Sequence, residues 1–342
     1  MLFIGASWSG CAWYRLHVPG AQLKALGYEV VLDSVLKPED VDHFDVIVFQ
    51  RQFQPEALAA IRSANAAGKL TVFELDDDVW SLTPTNPGYA AWADPIAVRG
   101  LVDCIRAAQL VTTTTPALAE KLKRFNPAVR VLRNMLPLEG WDYPSPREQC
   151  DDRVVLGWAG SSSHVEDLAL LDGTVQQILD AHPNAEFVYA GGPEASLFAP
   201  HDRITRLDAT DIHRYPTILE HFHVGLIPLV DNAFNRSKSD LKFVEYGMQG
   251  IPTVASKVEP YLQSVKHSEN GFLATNSKDW MKFVSRLIES AELRREIGAR
   301  AQQYARTRTI DKGIGQWIRA YGLDALPDKA NGADERRQHV PA

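Results

Sequence analysis

Residues 238–256 read Lys238-Ser-Asp-Leu-Lys-Phe-Val-Glu-Tyr-Gly-Met-Gln-Gly-Ile-Pro-Thr-Val-Ala-Ser256, which is a short amphipathic pattern followed by an apolar run. At about 100° per residue, Lys238, Lys242 and Glu245 lie on one face of a helix, and the adjoining face is apolar. Gly250 predicts the end of this helix, and the residues after it predict a buried strand. A helix that leads through glycine into a buried strand is typical of parallel α/β sheets.

The same alternation of short apolar runs and longer amphipathic segments extends along the whole chain. It predicts two doubly wound, Rossmann-like α/β domains, because 342 residues exceed what one ordinary core accommodates. Residues 137–152 are rich in proline and charge, and they predict a linker between a first domain at 1–136 and a second at 153–321. Residues 322–342 have little to bury and predict a mobile tail. In such a pair of domains, the carboxyl ends of both sheets face a shared cleft where ligands bind.

The apolar runs predict strands in both domains. The expected strands span residues 2–6, 29–33, 45–50, 70–75, 110–113, 130–132, 154–159, 186–190, 204–207, 224–229, 253–255 and 271–274. Amphipathic segments predict helices at residues 55–67, 277–289, 291–306 and 312–321. Residues 5–20, rich in glycine and aromatic side chains, are expected to form a loop that stacks a sugar or base.

The bulk composition excludes several classes of protein. A net charge of −7 argues against a protein that coats polyanions, and no apolar run approaches the roughly 20 residues that span a bilayer. Three cysteines without Cys-x-x-Cys or His-x-His spacing predict no metal cage and fit a reducing cytoplasm. Basic residues of the first half are either solvated helix faces or a weak contact surface for membrane or nucleic acid. They are Arg15, Arg51, Lys121, Lys123, Arg124, Arg130 and Arg133.

Residues 156–168 predict a strand that turns through small residues, Gly160-Ser-Ser-Ser-His164, into a helix. Ser163 and Glu166 have the spacing of a capping box. One interpretation is an ordinary capped helix. The other is a diphosphate site, because free N–H groups at a helix start attract phosphate; the two lysines in the same domain favour it. Gly160, Ser161, Ser162 and His164 are the candidates.

The polar face of residues 238–249 suits a sugar nucleotide. Its ammonium groups would neutralise phosphate charge, and Glu245 would accept hydrogen bonds from ribose hydroxyls. The alternative for Glu245 is an intrahelical pair with Lys242 or Lys238, worth roughly a few tenths of a kcal/mol. Asp231 and Asn235 follow an expected strand, and either contact sugar hydroxyls or form a turn.

Residues 74–78 read Glu-Leu-Asp-Asp-Asp at the end of an expected strand. Like charges crowded together cost free energy unless a cation, a donor proton or solvent offsets the repulsion. Three interpretations stay open: a surface loop in which an aspartate caps the next segment, an acid or base facing an acceptor, and a divalent-metal site. Asp77 and Asp78, together with His164 of the later turn, are the catalytic candidates.

These motifs together resemble GT-B glycosyltransferases of the family-four type, in particular a bacterial and phage branch. The matching segments are Tyr14-Arg15, Glu74-Leu-Asp-Asp-Asp78, Trp158-Ala-Gly-Ser-Ser-Ser-His164 and Lys242-Phe-Val-Glu-Tyr-Gly-Met-Gln-Gly-Ile-Pro252. The similarity covers nearly all of residues 1–320. It implies a retaining transfer from a nucleotide sugar, with the donor held mostly by the second domain and the acceptor by the first.

By position, Glu245 matches the second glutamate of the family's Glu-x7-Glu motif, which is expected near the ribose. The first glutamate falls at Ser237, which departs from the pattern. The Arg and Lys that usually grip the diphosphate are replaced by the segment Gly160–His164. We therefore expect Lys238 and Lys242 to supply that positive charge.

The prediction is a cytoplasmic, hexosyltransferase-like enzyme that uses a UDP- or GDP-sugar as co-substrate and does not require a divalent metal. Gly160, Ser161 and His164 would stabilise the leaving diphosphate with the two lysines, and Asp77 or Asp78 would orient the acceptor hydroxyl. The expected acceptor-side residues are Gly10, Tyr14, Arg15 and Arg51. The acceptor is a glycan, a lipid, a hydroxymethylated DNA base or a virion protein. The alternative is a nucleotide-sugar-binding module without catalysis.

Overall fold

A computed structural model describes residues 1–5, 10–137, 139–141, 152–192 and 197–325. Within these ranges the strands form two six-stranded parallel sheets, one in each half of the chain. The expected pair of doubly wound α/β domains is therefore confirmed. Within the same ranges, no helix is both long enough and apolar enough to cross a bilayer.

The first sheet has the strand order β2-β1-β3-β4-β5-β6. Its strands are β1 (Leu2–Ile4), β2 (Val31–Asp33), β3 (Val46–Gln50), β4 (Leu70–Glu74), β5 (Leu110–Thr113) and β6 (Val129–Val131). The helices between them are α1 (Gly10–Ala12), α2 (Val18–Ala25), α3 (Pro38–His43), α4 (Pro55–Ala66), α5 (Tyr89–Trp92), α6 (Pro95–Ala107) and α7 (Pro116–Leu122). A π-helical turn (Trp13–His17) joins α1 to α2, and a 3₁₀ turn (Val79–Ser81) precedes α5.

The second sheet has the order β12-β11-β10-β7-β8-β9. Its strands are β7 (Val154–Gly160), β8 (Ala185–Gly191), β9 (Ile204–Leu207), β10 (Val224–Ile227), β11 (Thr253–Ser256) and β12 (Phe272–Ala274). The helices are α8 (Val165–Ala169), α9 (Thr174–Ala181), α10 (Tyr215–Leu219), α11 (Leu241–Met248), α12 (Glu259–Leu262), α13 (Ser277–Glu289), α14 (Ala291–Ala305), α15 (Ile310–Gly313) and α16 (Gly315–Ala320). Further 3₁₀ turns are Ser162–His164, Asn235–Ser237 and Leu323–Ala325.

The predicted strands are all present, each with bounds within two residues of the expected ones. The predicted opening loop is wrong from Gly10 onward, because that segment is helical. Ala12, Leu16 and Leu23 recur at helical spacing and are fully buried in the first domain's core, so packing overrides the loop-like composition. Residues 6–9, including the predicted stacking residue Trp8, lie outside the described ranges.

The last helices cross back to the first domain. Trp317 lies under the Arg15 guanidinium, with 5.8 Å between Cζ and the ring centroid, and Tyr321 meets Phe3 of β1 edge-on at 6.4 Å. The prediction placed residues up to 321 in the second domain as one helix from 312. The two short helices α15 and α16 contact the first domain. The predicted linker at 137–152 and tail at 322–342 lie largely outside the described residues.

Candidate active site

A cavity of about 400 Å³ lies in the cleft between the two sheets, at their carboxyl ends. Both domains contribute to its walls. The predicted site residues that line it are Gly10, Tyr14, Arg15, Asp77, Gly160, Ser161, His164, Lys238, Lys242 and Glu245. The structure thus brings together residues that are separated by up to about two thirds of the chain.

The turn after β7 needs glycine at position 160. A Cβ there would lie 2.7 Å from Trp158 Cζ2 and 3.1 Å from Lys242 Nζ. Gly191, with φ +69°, packs against the same turn, and a Cβ added to it would lie 2.2 Å from the Gly160 carbonyl oxygen. Any larger residue at Gly160 must therefore displace either the indole of Trp158 or the lysine head.

The predicted capping box is not formed. Residues Ser162–His164 make a 3₁₀ turn with Ser161 at its N-cap, so Ser163 lies inside the turn and not at a helix start. Its hydroxyl lies 2.7 Å from the Ser161 hydroxyl. Glu166 instead accepts hydrogen bonds from the first domain, at 2.5 Å from Thr85 Oγ1 and 3.3 Å from Thr83 Oγ1. The carboxylate therefore joins the domains.

Lys238 and Lys242 converge on the cavity, although they do not share a helix face as predicted. The helix α11 begins at Leu241 with Asp240 as its N-cap, and Lys238 precedes it in extended conformation. The reason is that Arg308 binds Asp240 at 2.7 Å and fixes the start of the helix. The Lys242 ammonium donates to the Ala159 carbonyl and lies 5.2 Å from the Trp158 ring centroid. The Lys238 ammonium lies 4.6 Å from the ring centroid of Phe234.

The surroundings of Lys242 make its positive charge unfavourable. Burial lowers the pKa of Lys242 to about 8, and nearby Lys238 lowers it further, while Glu245 acts in the opposite direction. A buried cation whose charge is only partly compensated gains most from an anion in the cavity. The electrostatics therefore favour an anionic ligand.

Glu245 connects the two domains. Its carboxylate accepts hydrogen bonds from Tyr14 Oη at 2.7 Å and Tyr215 Oη at 3.1 Å, and the residue is 6% exposed. Burial raises the pKa of this carboxyl, while Lys242 and the two hydroxyls oppose the rise. An intrahelical ion pair, the alternative for Glu245, is not formed among the described residues. The sequence predicts Tyr14 on the acceptor side. In the structure its hydroxyl binds Glu245, the residue that is predicted to hold the donor ribose.

Arg51 organises the aspartates of the first domain. Its Nε donates to Asp76 at 2.7 Å and its Nη2 to Asp77 at 2.6 Å. The backbone of Arg51 has φ +52°, a conformation that costs free energy for a side-chain-bearing residue and often occurs at functional sites. Burial raises the pKa of Asp77, but Lys238 and Arg51 outweigh it, so the net pKa is below its usual value. Asp77 is therefore ionised at the cleft.

The open interpretations of residues 74–78 can now be separated. Asp78 is 1% exposed, forms an ion pair with Lys121 and does not line the cavity, so the structure does not place it where an acceptor would lie. Cys11, Asp76 and Asp77 are close enough to share a metal ion. They fit one poorly, because the Arg51 guanidinium already binds both carboxylates and burial raises the pKa of the Cys11 thiol. Of residues 74–78, Asp76 and Asp77 line the cavity.

His164 is held in one neutral form. Its Nδ1 lies 2.8 Å from Asp167 Oδ2. Burial lowers the pKa of His164 to about 4 and Lys238 adds to the effect, whereas Asp167 opposes it. At neutral pH the imidazole therefore donates Nδ1–H to Asp167 and keeps Nε2 as an acceptor. In this form the imidazole adds no positive charge to the cavity.

Comparison with known proteins relates the second domain and the overall fold to glycosyltransferases. Residues 153–290 match the family model described as Glycosyl transferases group 1. The chain has the GT-B fold, and its second domain resembles group 1 glycosyl transferases in sequence. No sequence among the curated proteins that were searched matches the chain.

Solved structures share the glycosyltransferase fold over most of the chain. HepE of Anabaena in complex with UDP is 17% identical over 95% of this chain and 99% of its own, with TM-score 0.64. Sucrose-phosphate synthase of Thermosynechococcus elongatus is 15% identical over 95% and 98%, with TM-score 0.68. A TarM mutant of S. aureus in complex with UDP is 12% identical over 81% of this chain, with TM-score 0.60. The chain spans 55% of the TarM length. At these low sequence identities, the structural similarity shows only that the fold is shared.

Three predicted site residues bind other residues of the protein. Arg15 lines the cavity but is only 1% exposed, and it binds both Glu74 oxygens, at 2.7 and 3.0 Å. Asp231 is exposed and paired with Arg236. The buried Asn235 donates to Asp167 at 2.7 Å. The sequence showed their polar types but not these partners. Asp231 and Asn235 do not line the cavity, whereas Arg15 does.

A second cavity of about 300 Å³ adjoins the first. Asp77, Cys11, Ser161, Ser163 and Lys238 line both. The second cavity is also lined by Arg51, Ser162, Leu82, Asn86, Gly88 and Trp92. We did not predict residues 82–92, although the turn-forming sequence Asn86-Pro-Gly88 so close after the aspartates is a signal for an exposed functional loop.

Proposed function

We propose that this protein is a glycosyltransferase, which transfers a sugar from a UDP- or GDP-activated donor to the hydroxyl of an acceptor held by the first domain. One observation supports it most: Lys238, Lys242 and the Gly160 turn of the family-matched domain border one cavity. UDP and UDP-glucose occur in complexes of HepE, which shares the fold. Retention of the anomeric configuration is implied by the resemblance of residues 242–252 to the family-four motif.

In this proposal the developing charge on the leaving diphosphate is stabilised by two lysine ammonium groups. Fixed cations in a closed cleft stabilise such charge without reorganisation during the reaction. Lys242 is already desolvated and held against the Ala159 carbonyl. Glu245 would accept hydrogen bonds from the ribose, with Tyr14 and Tyr215 orienting its oxygens.

Asp77 would orient the acceptor hydroxyl. Because its pKa lies below the usual value, the carboxylate is a hydrogen-bond acceptor at neutral pH and a weak base. Its place at the junction of the two cavities lets one oxygen face the donor side and the other face Arg51.

Nucleotide binding and nucleotide release test this function separately. Isothermal titration of the full chain with UDP and GDP should show binding of one of them. Incubation with UDP-glucose and GDP-mannose should then release free nucleotide slowly even without an acceptor. If neither nucleotide binds, the proposal is wrong.

A binding module without catalysis is the second candidate, and one observation favours it. Ser237, at the position of the family's first glutamate, is buried, and its hydroxyl donates to the Ala233 carbonyl at 3.4 Å rather than into the cavity. Nucleotide binding without any release from the two donor sugars would support this candidate against the transferase.

A further inference from the structure

The second cavity has walls of mixed chemistry. Trp92 and Leu82 supply apolar surface, and Asn86, Arg51 and Asp77 supply polar atoms. Phe53 holds the indole of Trp92 edge-on, with 5.3 Å between ring centroids and 65° between planes. An apolar plane with hydrogen-bonding groups at its rim suits a ligand that has one C–H face and polar edges.

The charges around this cavity balance. Arg51, Lys238 and Asp77 line it, and Asp76, which lies outside the lining, binds Arg51 as Asp77 does. A polyanionic acceptor would require an excess of positive charge, and a cationic acceptor an excess of negative charge. The balance therefore favours an uncharged ligand.

The cavity depends on both domains. Ser161 and Ser162 of the second domain face the segment 82–92 of the first. The Thr85 hydroxyl donates to Glu166 at 2.5 Å and ties that segment to the second domain. A ligand here would therefore lie next to the donor cavity only while the domains are in this arrangement.

The volume and the position of the second cavity also fit a ligand that consists of a single ring. A volume of about 300 Å³ lies at the lower end of the range for small-molecule sites. The cavity meets the donor cavity at Asp77, so a hydroxyl at that edge can reach the sugar carbon of a donor.

We propose that this cavity is the acceptor subsite and takes an uncharged pyranose, with its C–H face on Trp92 and its reacting hydroxyl beside Asp77. The inference rests on the proposed function. In the transfer, the acceptor oxygen bonds to the donor's anomeric carbon as that carbon's bond to the diphosphate oxygen breaks. The acceptor proton leaves with the diphosphate, so the products are a glycoside and a protonated nucleoside diphosphate.

Saturation-transfer NMR on the full chain, with the nucleotide that binds present in excess, tests the subsite. The probes are the methyl glycosides of glucose, galactose, mannose and N-acetylglucosamine. The variants are Trp92→Ala, Trp92→Phe and the control Tyr89→Ala, since Tyr89 is on the same short helix but exposed and outside the cavity. Nucleotide affinity is measured by titration for every variant.

We expect at least one glycoside to receive saturation at its ring protons. Its affinity should fall roughly tenfold in Trp92→Ala, recover within about threefold in Trp92→Phe and stay unchanged in Tyr89→Ala. Nucleotide affinity should be equal in all four proteins, which also shows that the variants are folded.

Several results would overturn the subsite. One is saturation transfer that is equal in wild type and Trp92→Ala. Another is a Trp92-dependent signal from 5-hydroxymethylcytidine or decanol but from no glycoside, which would assign the cavity to a modified base or a lipid. Absence of any glycoside signal while the nucleotide binds also rejects the subsite and leaves the donor assignment intact. Trp92-dependent glycoside binding without nucleotide binding would support the subsite and reject the proposed donor.

Discussion

The two walls of the cleft are built in different ways. Most of the second-domain wall comes from two short windows of sequence, the Gly160 turn and the segment from Lys238 to Glu245, with Tyr215 and Tyr261 added from elsewhere. The first-domain wall is assembled from separate strand ends, with Arg51 after β3, Asp77 after β4 and Trp92 farther on. Site residues that lie close together in the sequence can be recognised from the sequence alone. Site residues that strand pairing brings together from distant positions leave no such local signal.

The largest effect should come from Arg15, which the sequence assigned to the acceptor and the structure assigns to the framework. Arg15→Met leaves Glu74 buried and unpaired, so the free energy of unfolding should fall by about 3–5 kcal/mol. Urea denaturation monitored by circular dichroism measures it.

The double variant Arg15→Met with Glu74→Gln is the matched control, because it removes the unpaired charge. It should recover part of the lost stability. If Arg15→Met were as stable as wild type and had a raised KM for the acceptor, Arg15 would be an acceptor-binding residue and not part of the framework.

On the second-domain wall, Lys242→Ala should weaken nucleotide binding without unfolding the chain. Loss of one hydrogen bond to a charged phosphate costs about 1.5–3 kcal/mol, so Kd should rise roughly ten- to 150-fold. Lys278→Ala, on the exposed face of α13, is the control for a general loss of charge. Equal affinity in wild type and Lys242→Ala would show that the ammonium does not face the phosphates.

The features that could not be predicted from the sequence depend on contacts with residues that are distant in the chain. The strands were predictable because each is a short apolar run, and the Gly160 turn because glycine and serine mark it locally. The start of α11 was not, since Asp240 is fixed by Arg308, which is distant in sequence. Asp78 looked equivalent to Asp77 until Lys121 was placed beside it. The two adjacent aspartates thus have different roles because their partners lie elsewhere in the sequence.

Proton binding by Lys242 gives the next prediction. Its pKa in the folded chain is about 8, below the ordinary 10.5, so the lysine loses its charge as pH rises through about 8. Nucleotide affinity should therefore fall above that pH, by roughly tenfold between pH 7 and pH 9. Titration calorimetry across this range measures it.

Two further measurements sharpen the result. Lys242→Arg keeps its charge at every pH in this range, so its affinity should not show the fall. Because the unfolded chain holds the proton up to about pH 10.5, stability of the nucleotide-free wild type should rise with pH between about 8 and 10.5. A flat affinity profile in wild type would mean that Lys242 is not the titrating cation of the second-domain wall.

The smallest effect concerns the contact that holds the two walls together. Thr85→Val removes the hydroxyl that donates to Glu166, and this partly solvated hydrogen bond should contribute about 0.5–1 kcal/mol to the closed arrangement. Small-angle scattering of the free chain should show a slightly larger radius of gyration, and nucleotide Kd should rise by no more than about fivefold. Thr83→Val, whose bond to Glu166 is longer at 3.3 Å, should have a smaller effect. If Thr85→Val and Glu166→Gln both scatter like wild type, the wall spacing is set by other contacts, such as the 2.7 Å bond from Tyr14 to Glu245.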